Sequence, residues 1–474
     1  MKRWWTTLVA LGLVPALLAG CAQEGDDDLF AGPAPTGEPG EPPDPGDPPE
    51  EPTEPRTTDD PGAVADQAVQ DVTEYWRTTY PELYGDEFEE LAGFYGYGPD
   101  TEPPPCGSPP PSYDLIAENA FYCPEDDIIA WDEVGLLPPL NEQFGAFTVA
   151  IVIAHEFGHA IQARAGAFDR TVDLEMQADC FAGAWTGHVA DGGAADFTEG
   201  DIDLDQTVAG MIAIRDLPGT DPNNPAAHGS GFDRVGAFQD GYENGAGTCV
   251  DYADPDVDRA TAEIEFTTAD EFETEGNLHL EDIPGEEGLL TLVERDLNQF
   301  YEDLFAELGR SFTAVDDLVI ADPDQGVTCG GEGLSGDDLT FAAVYCEDEN
   351  IVVLDGAQLV PSLEEIGDFA VAAEIARLWA RAGQSQLGVA DSDQAGLQAD
   401  CLTGVWSFSV FPDSGINRGN LTMSAGDLDE GIMGFIAFAE DDGSGGGDVF
   451  SRADALRTGF FEGYDACEEY GELG

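Results

Sequence analysis

The sequence predicts a mostly helical α+β fold with a small β-hairpin, written as two tandem modules behind a disordered leader. Three observations predict it. At 474 residues the chain exceeds one ordinary hydrophobic core. Residues 22–62 hold 11 Pro with many Gly, Asp and Glu and almost no large apolar side chain, so they cannot bury a core. The remainder repeats itself at an offset that drifts only from 223 to 218.

The repeat is carried by particular residues. Phe121-Tyr122-Cys123 returns as Val344-Tyr345-Cys346, and Phe144-Gly145-Ala146-Phe147 as Ile366-Gly367-Asp368-Phe369. Gln177-Ala178-Asp179-Cys180 recurs unchanged as Gln398-Ala399-Asp400-Cys401, with Trp185 and Trp406 following at the same distance. Phe232, Arg234, Gly241, Gly245, Cys249 and Tyr252 meet Phe450, Arg452, Gly459, Gly463, Cys467 and Tyr470. The modules are therefore placed at 63–255 and 263–474, with an acidic junction between them.

Ahead of the modules, residues 1–21 have the pattern of a secretory signal. Lys2 and Arg3 precede an apolar stretch at 4–18 that is short for a membrane span. Leu18-Ala19-Gly20-Cys21 resembles a bacterial lipobox, which implies lipidation of Cys21 and anchorage on the extracytoplasmic face of the membrane. Residues 22–62 then form a solvated tether.

Within module one, an amphipathic helix is expected over 63–91, broken near Pro81. A hairpin follows, with strands at 119–122 and 128–131 around a turn at 124–127. Next comes a buried helix at 142–165, ended by Gly166, and a further helix at 172–189, stopped by Gly192-Gly193.

Besides Cys21 there are eight cysteines, an even number that suits disulfides in an oxidising compartment. All eight occupy equivalent positions in the two copies. The simplest pairing lies within each copy: Cys106–Cys123 and Cys180–Cys249, then Cys329–Cys346 and Cys401–Cys467.

The charge is extreme, with 98 Asp and Glu against 16 Lys and Arg. Nucleic acid is excluded as a partner, since phosphate binding needs clustered basic side chains. The tether does not account for the imbalance, because it holds only 13 of the acidic residues. Two readings stand side by side, a generic solubility surface and adaptation to high salt.

The chemistry is read from His155-Glu156-Phe157-Gly158-His159. Two histidines four apart on a helix leave the same face and can meet one metal ion, while Glu156 can take a proton from metal-bound water. With five histidines in the chain, such a pattern arises by chance about once in two hundred sequences of this composition. The preceding run, Val149-Ala150-Ile151-Val152-Ile153-Ala154, suits a buried helix, and Gly158 is expected to give the metal room. Zinc with three protein ligands leaves a fourth position for water. Glu175 is the expected third ligand, with Asp179 on the same face to accept a ring N–H from a ligand histidine. Asp179 has the alternative of pairing with Arg234. Asp201, Asp203 and Asp205 resemble a calcium loop, but Gln206 stands where its turn glycine belongs.

This arrangement resembles the gluzincin metallopeptidases. More narrowly, the run from Phe121-Tyr122-Cys123-Pro124 through the histidine motif and Gln177-Ala178-Asp179-Cys180-Phe181-Ala182-Gly183 to His228-Gly229-Ser230 resembles the bacterial putative neutral zinc metallopeptidase family. The resemblance implies a zincin-like module, one Zn2+ per chain and hydrolysis of peptide bonds in a peptide or protein substrate. His228 is a candidate for stabilising the oxyanion. The strand at 128–131 is expected to pair with an extended substrate.

Module two acts as an internal control. His155, Glu156 and His159 face Arg377, Leu378 and Arg381, or, with the alignment one residue earlier, Ala376, Arg377 and Ala380; Glu175 faces Gly396, and His228 faces Gly446. Module two is thus expected to be a metal-free, degenerate copy. The expected function is a lipid-anchored, extracytoplasmic zinc metallopeptidase with Glu156 as general base. The alternative is a zinc-containing, catalytically vestigial binding lipoprotein whose second module is an interaction surface.

Overall fold

A computed structural model describes residues 60–166, 171–215, 218–220, 228–253, 276–416, 418–438 and 449–471, with 261, 262, 264, 266 and 274 as single positions. The expected signal, the lipidation site Cys21 and the tether up to residue 59 lie outside the described residues.

Helix α1 spans Pro61–Tyr84, with the Asp60 carboxylate accepting the Gly62 N–H and Gly85 in the left-handed region as its stop. It starts two residues earlier than expected and ends at Tyr84 rather than near 91. It also runs through Pro81 for one more turn instead of breaking there. Its apolar face, including Val64, Ala68, Val72 and Trp76, is buried, and Trp76 meets Phe181 edge to face at 5.0 Å.

Strand β1 (Gly93–Tyr97) was not expected, because Gly93 and Gly96 interrupt any apolar alternation. It pairs in parallel with β3 (Ile128–Asp132), which pairs on its other side with antiparallel β2 (Ala120–Cys123). The sheet order β1-β3-β2 leaves β3 no free edge. This overturns the expectation that 128–131 pairs with substrate. The outer edges of the sheet belong to β1 and β2, and β2 is the one beside the histidine helix. The β2–β3 turn needs a left-handed residue, supplied by Asp127 at φ 53°.

The long helix expected at 142–165 is two helices, α2 (Leu137–Phe144) and α3 (Ala146–Ala165). Gly145, at φ 80° and ψ 167°, breaks them. Helix α3 is apolar on most of its circumference and is packed on most sides, as such a pattern requires. By length and composition it could cross a membrane, yet its most apolar window is 83% buried inside the fold, so it is a core helix. Helix α4 (Thr171–Ala190) follows, then α5 (Leu204–Ala213) and α6 (Gly231–Asn244). Asp201 and Asp203 serve as helix caps: Asp201 closes a capping box with Thr198, and Asp203 accepts the Gln206 N–H at 3.0 Å.

Helices α4 and α6 cross in near backbone contact. A Cβ on Gly183 would lie 2.0 Å from the Phe238 carbonyl oxygen, and one on Gly241 would lie 1.8 Å from that of Cys180. No side chain fits there, which is why glycine stands at both positions. The Cys180–Cys249 disulfide ties α4 to the segment after α6, and Gln177 donates to the Cys249 carbonyl at 2.9 Å.

The second half repeats this order of elements. Helix α7 (Leu289–Glu307) leads to β4 (Asp317–Ala321), a small hairpin of β5 (Val327–Cys329) and β6 (Glu332–Leu334), then β7 (Ala343–Cys346) and β8 (Ile351–Asp355). The order β4-β8-β7, with β4 parallel and β7 antiparallel to β8, mirrors β1-β3-β2. Helices α8 (Leu359–Glu364), α9 (Asp368–Leu387), α10 (Asp393–Val410), α11 (Asp427–Phe438) and α12 (Val449–Glu462) complete it.

The correspondence extends to detail. Asn350 adopts φ 53° as Asp127 does. Phe147 stacks on Trp185 at 5.6 Å, and Phe369 on Trp406 at 5.8 Å. Gly404 and Gly459 approach the Leu456 and Cys401 carbonyls as Gly183 and Gly241 do in the first half. The four disulfides are Cys106–Cys123, Cys180–Cys249, Cys329–Cys346 and Cys401–Cys467.

Candidate active site

Helices α3 and α4 build the site between them. A Cβ on Gly158 would sit 2.6 Å from Ala178 Cα, so glycine here lets the two helices touch. This corrects the expectation that Gly158 makes room for the metal. Its effect is to bring Glu175, one turn before Asp179 on α4, within reach of both histidines.

His155 Nε2 and His159 Nε2 lie 3.1 Å apart. Glu175 closes the triangle, with Oε2 at 3.2 Å from His155 Nε2 and Oε1 at 3.4 Å from His159 Nε2. The outer ring nitrogens are both engaged. His155 Nδ1 lies 2.7 Å from Asp179 Oδ1, and His159 Nδ1 lies 2.9 Å from Gln162 Oε1. The Gln162 amide is oriented by its NH2 donating to the Leu174 carbonyl at 2.5 Å, so its oxygen faces the ring. Both Nδ1 atoms therefore donate, and in the neutral rings both Nε2 atoms present lone pairs to each other and to the carboxylate.

Acceptors facing acceptors at this distance call for a shared positive charge, a proton or a metal ion. Glu175 Oε2 is buried with no hydrogen-bond partner, which is the same deficit seen from the other side. The field agrees. Burial disfavours a charged His155 ring, but the Asp179 and Glu175 carboxylates outweigh it and push its pKa up to about 10. His159 is shifted up in the same way, with burial opposed chiefly by Glu175. Glu175 is held well below the ordinary carboxylate range: the histidines overcome its burial.

The donor set fits zinc. Tetrahedral bonds of about 2.0–2.1 Å imply ligand atoms roughly 3.4 Å apart, close to the three separations found. Two imidazoles and one carboxylate are a donor set that zinc accepts. Among the described residues two other groups carry ligand-type atoms. Cys106 and Cys123 with Glu125 have their sulfurs joined in a disulfide, and Asp368, Asp427 and Glu430 offer carboxylates alone.

Glu156 is buried beside this cluster. Its Oε2 accepts the Tyr122 backbone N–H at 2.8 Å, so the base position is joined to the open edge of β2. Asp179 does both things expected of it. It receives His155 on Oδ1, and it binds Arg234 through Nε to Oδ2 at 2.7 Å and Nη2 to Oδ1 at 3.0 Å. Burial of Asp179 is outweighed by Arg234 and then His155, and its pKa is lowered. His228 is exposed and is not among the residues gathered around the two imidazoles.

Gln162 was not anticipated from the sequence. Its signal was present, since Gln384 stands at the matching position in the second half. There Arg377 Nε donates to Asp400 at 2.8 Å where His155 meets Asp179, and Arg381 donates to Gln384 at 3.2 Å where His159 meets Gln162. Arg452 also donates to Asp400, at 3.1 Å. The positive charge that the first half's donor set requires from outside is here supplied by guanidinium groups, and Gly396 replaces Glu175.

Comparison with known proteins locates this site within a family. Residues 105–252 match the model of a family described as putative neutral zinc metallopeptidase. Over 152 residues the chain is 30% identical to an uncharacterised protein of Mycobacterium tuberculosis, covering 26% of this chain and 52% of that one. Over 150 residues it is 27% identical to the uncharacterised protein YpfJ of Escherichia coli, covering 26% and 50%. The chain thus spans about half the length of the curated relatives it matches. No solved structure matches. The matched segment, 105–252, holds both histidines, Glu156 and Glu175, so the part of the chain that is similar to the putative neutral zinc metallopeptidase family is the part that carries the site.

Proposed function

We propose that this chain is an exported zinc-dependent peptidase, held on the outer face of the cell membrane by a lipid on Cys21. Its peptide-bond chemistry is confined to the first half. The observation that carries the reading is the trio His155, His159 and Glu175, whose inward atoms are all acceptors, with Glu156 buried beside them. Those three residues would hold the ion. When bound, zinc supplies Lewis acidity toward water and toward the scissile carbonyl.

The remaining work falls to the protein's own groups. Tyr122 N–H holds Glu156 Oε2, which leaves Oε1 to accept a proton from the attacking water and return it to the leaving amine. Strand β2 offers its outward backbone groups to an extended peptide in the manner of strand addition, next to the same carboxylate. His228, exposed just ahead of α6 and replaced by glycine in the second half, is assigned the oxyanion. The lipobox at 18–21 supports anchorage, and four disulfides support an oxidising compartment. The second half is read as a metal-free copy, because arginines occupy the histidine positions.

The test is metal content and proteolysis of the protein lacking residues 1–21. About one zinc per chain is expected, with cleavage abolished and zinc retained in Glu156→Gln. Zinc without Glu156-dependent cleavage of a broad peptide library would favour the vestigial, binding-only alternative.

A further inference from the structure

The two halves pack as one unit, and three contacts of their interface recur in reverse. Phe232 opens α6 and Phe450 opens α12, at equivalent positions of the repeat. The N–H of Phe232 donates to Asp429 Oδ1 at 2.7 Å, and the N–H of Phe450 donates to Asp205 Oδ1 at 3.2 Å. The Phe232 carbonyl accepts from Arg457, and the Phe450 carbonyl accepts from Gln239 at 2.8 Å. Phe460 meets the Phe232 ring at 5.3 Å, and Tyr242 meets the Phe450 ring at 5.3 Å. Asp205 and Asp429 are themselves equivalent, because Leu204-Asp205-Gln206 on α5 aligns with Leu428-Asp429-Glu430 on α11. Each half thus presents one surface to itself about a pseudo-twofold axis, the geometry of an isologous dimer contact made within one chain.

Asp429 also accepts the Gly231 N–H at 3.1 Å and pairs with Arg215 at 2.8 Å. The carboxylate of Asp429 therefore sits on the first-turn donors of α6, where negative charge is favoured. Two residues further along α6 stands Arg234, which grips Asp179, which holds the His155 ring. In the second half the matching grip of Arg452 on Asp400 is longer, at 3.1 Å and 3.4 Å.

We propose that Asp429 is a positioning residue for the metal site of the other half: by clamping the start of α6 it sets Arg234 and Asp179, and through them the His155 imidazole. The second half then serves as a built-in dimer partner whose contribution is the geometry of a site it has itself lost. This inference rests on the metal reading proposed above.

Asp205 provides the control, because its removal loosens the same kind of contact on the side that holds no metal ligands. The full chain is stripped of metal, and its Zn2+ dissociation constant is measured by competition with a chromophoric chelator, with thermal unfolding followed alongside. Asp429→Ala is expected to weaken zinc binding about tenfold, as loss of a group behind a ligand histidine does. Asp205→Ala is expected to bind zinc as the unaltered chain does. Should Asp429→Ala fail to fold, the isosteric Asp429→Asn replaces it, with an expected weakening of about threefold or more. Equal zinc affinities for Asp429→Asn and the unaltered chain would overturn the inference alone, as would equal losses in the Asp429 and Asp205 variants. Absence of zinc binding by the unaltered chain would overturn the metal reading and this inference with it.

Discussion

His155 Nδ1 lies 2.7 Å from Asp179 Oδ1, and the same carboxylate is gripped from behind by Arg234 at 2.7 Å and 3.0 Å. One buried carboxylate thus joins the metal site to the scaffold. Asp179→Asn keeps the shape but loses the charge, and its amide cannot accept from both neighbours on both atoms. Two consequences are expected. Zinc affinity falls by about 10–100-fold, because the His155 tautomer is no longer enforced. Stability falls by roughly 3–5 kcal/mol, because the Arg234 guanidinium is left buried without its partner. Asp400→Asn, which meets Arg377 and Arg452 instead, should show the stability loss with zinc affinity unchanged. Chelator competition and urea unfolding on both variants check this, and equal zinc losses in the two would contradict it.

Gly158→Ala tests the helix contact that brings Glu175 to the histidines. The new methyl would meet Ala178 Cα at 2.6 Å, so α3 and α4 must separate by several tenths of an ångström. Overpacking of this kind costs about 1–3 kcal/mol. Separation also carries Glu175 away from both Nε2 atoms, so a drop in zinc affinity should accompany the lowered melting temperature. The second half has Ala380 at the matching position, where no ligand has to be delivered. A variant that melts lower yet binds zinc normally would show that Gly158 acts on packing alone.

Much of this architecture was legible in the chain, and the reasons differ by element. The histidine helix and its partner at 171–190 were readable because apolar residues on nearly every side demand burial and glycines mark the ends. The disulfide pairs followed from a repeat that placed every cysteine twice. Strands β1 and β4 were not readable in that way. They join the sheets in parallel with no hairpin turn to announce them, and glycines dilute β1. The edge role of β2 was missed for the same reason, since β3 looked open until β1 covered it. Gln162 and Asp429 are a third kind of miss. Each acts on a partner that only the folded chain brings near, and no local pattern distinguishes them from ordinary polar residues.

A pH dependence of unusual sign is expected from Asp368, Asp427 and Glu430, three carboxyls gathered between α9 and α11. Burial, and then their mutual repulsion, raises Glu430 and Asp427 well above the ordinary range, and burial pushes Asp368 up to about 6. A carboxyl whose folded-state pKa is raised binds its proton more tightly when folded than when unfolded. Its favourable contribution is therefore present at low pH and is lost as pH rises from about 4 through about 6 and above. The metal-free protein should lose urea resistance between pH 5 and pH 8. Glu430→Gln keeps an acceptor for the Phe369 N–H, found at 2.9 Å, and removes one titrating group. That variant should flatten the slope; an unchanged slope would remove this cluster as its cause.

Salt should stabilise the protein, and the structure shows why screening has so much to act on. The chain has 98 acidic and 16 basic side chains, so carboxylates outnumber basic groups by 82. Several of the few arginines are also committed to buried partners: Arg234 to Asp179, Arg377 and Arg452 to Asp400, and Arg418 to Asp296. Those pairs are shielded from solvent ions and change little with salt. The surplus carboxylates on the surface repel one another across distances that a Debye length of about 3 Å at 1 M salt cuts off. The melting temperature is therefore expected to rise between 0.1 M and 2 M NaCl. A parallel series in sucrose separates screening from general solvent exclusion, because sucrose strengthens burial without screening charge. A midpoint that is flat in NaCl, or that rises equally in both series, would leave the acidic surface as a solubility device only.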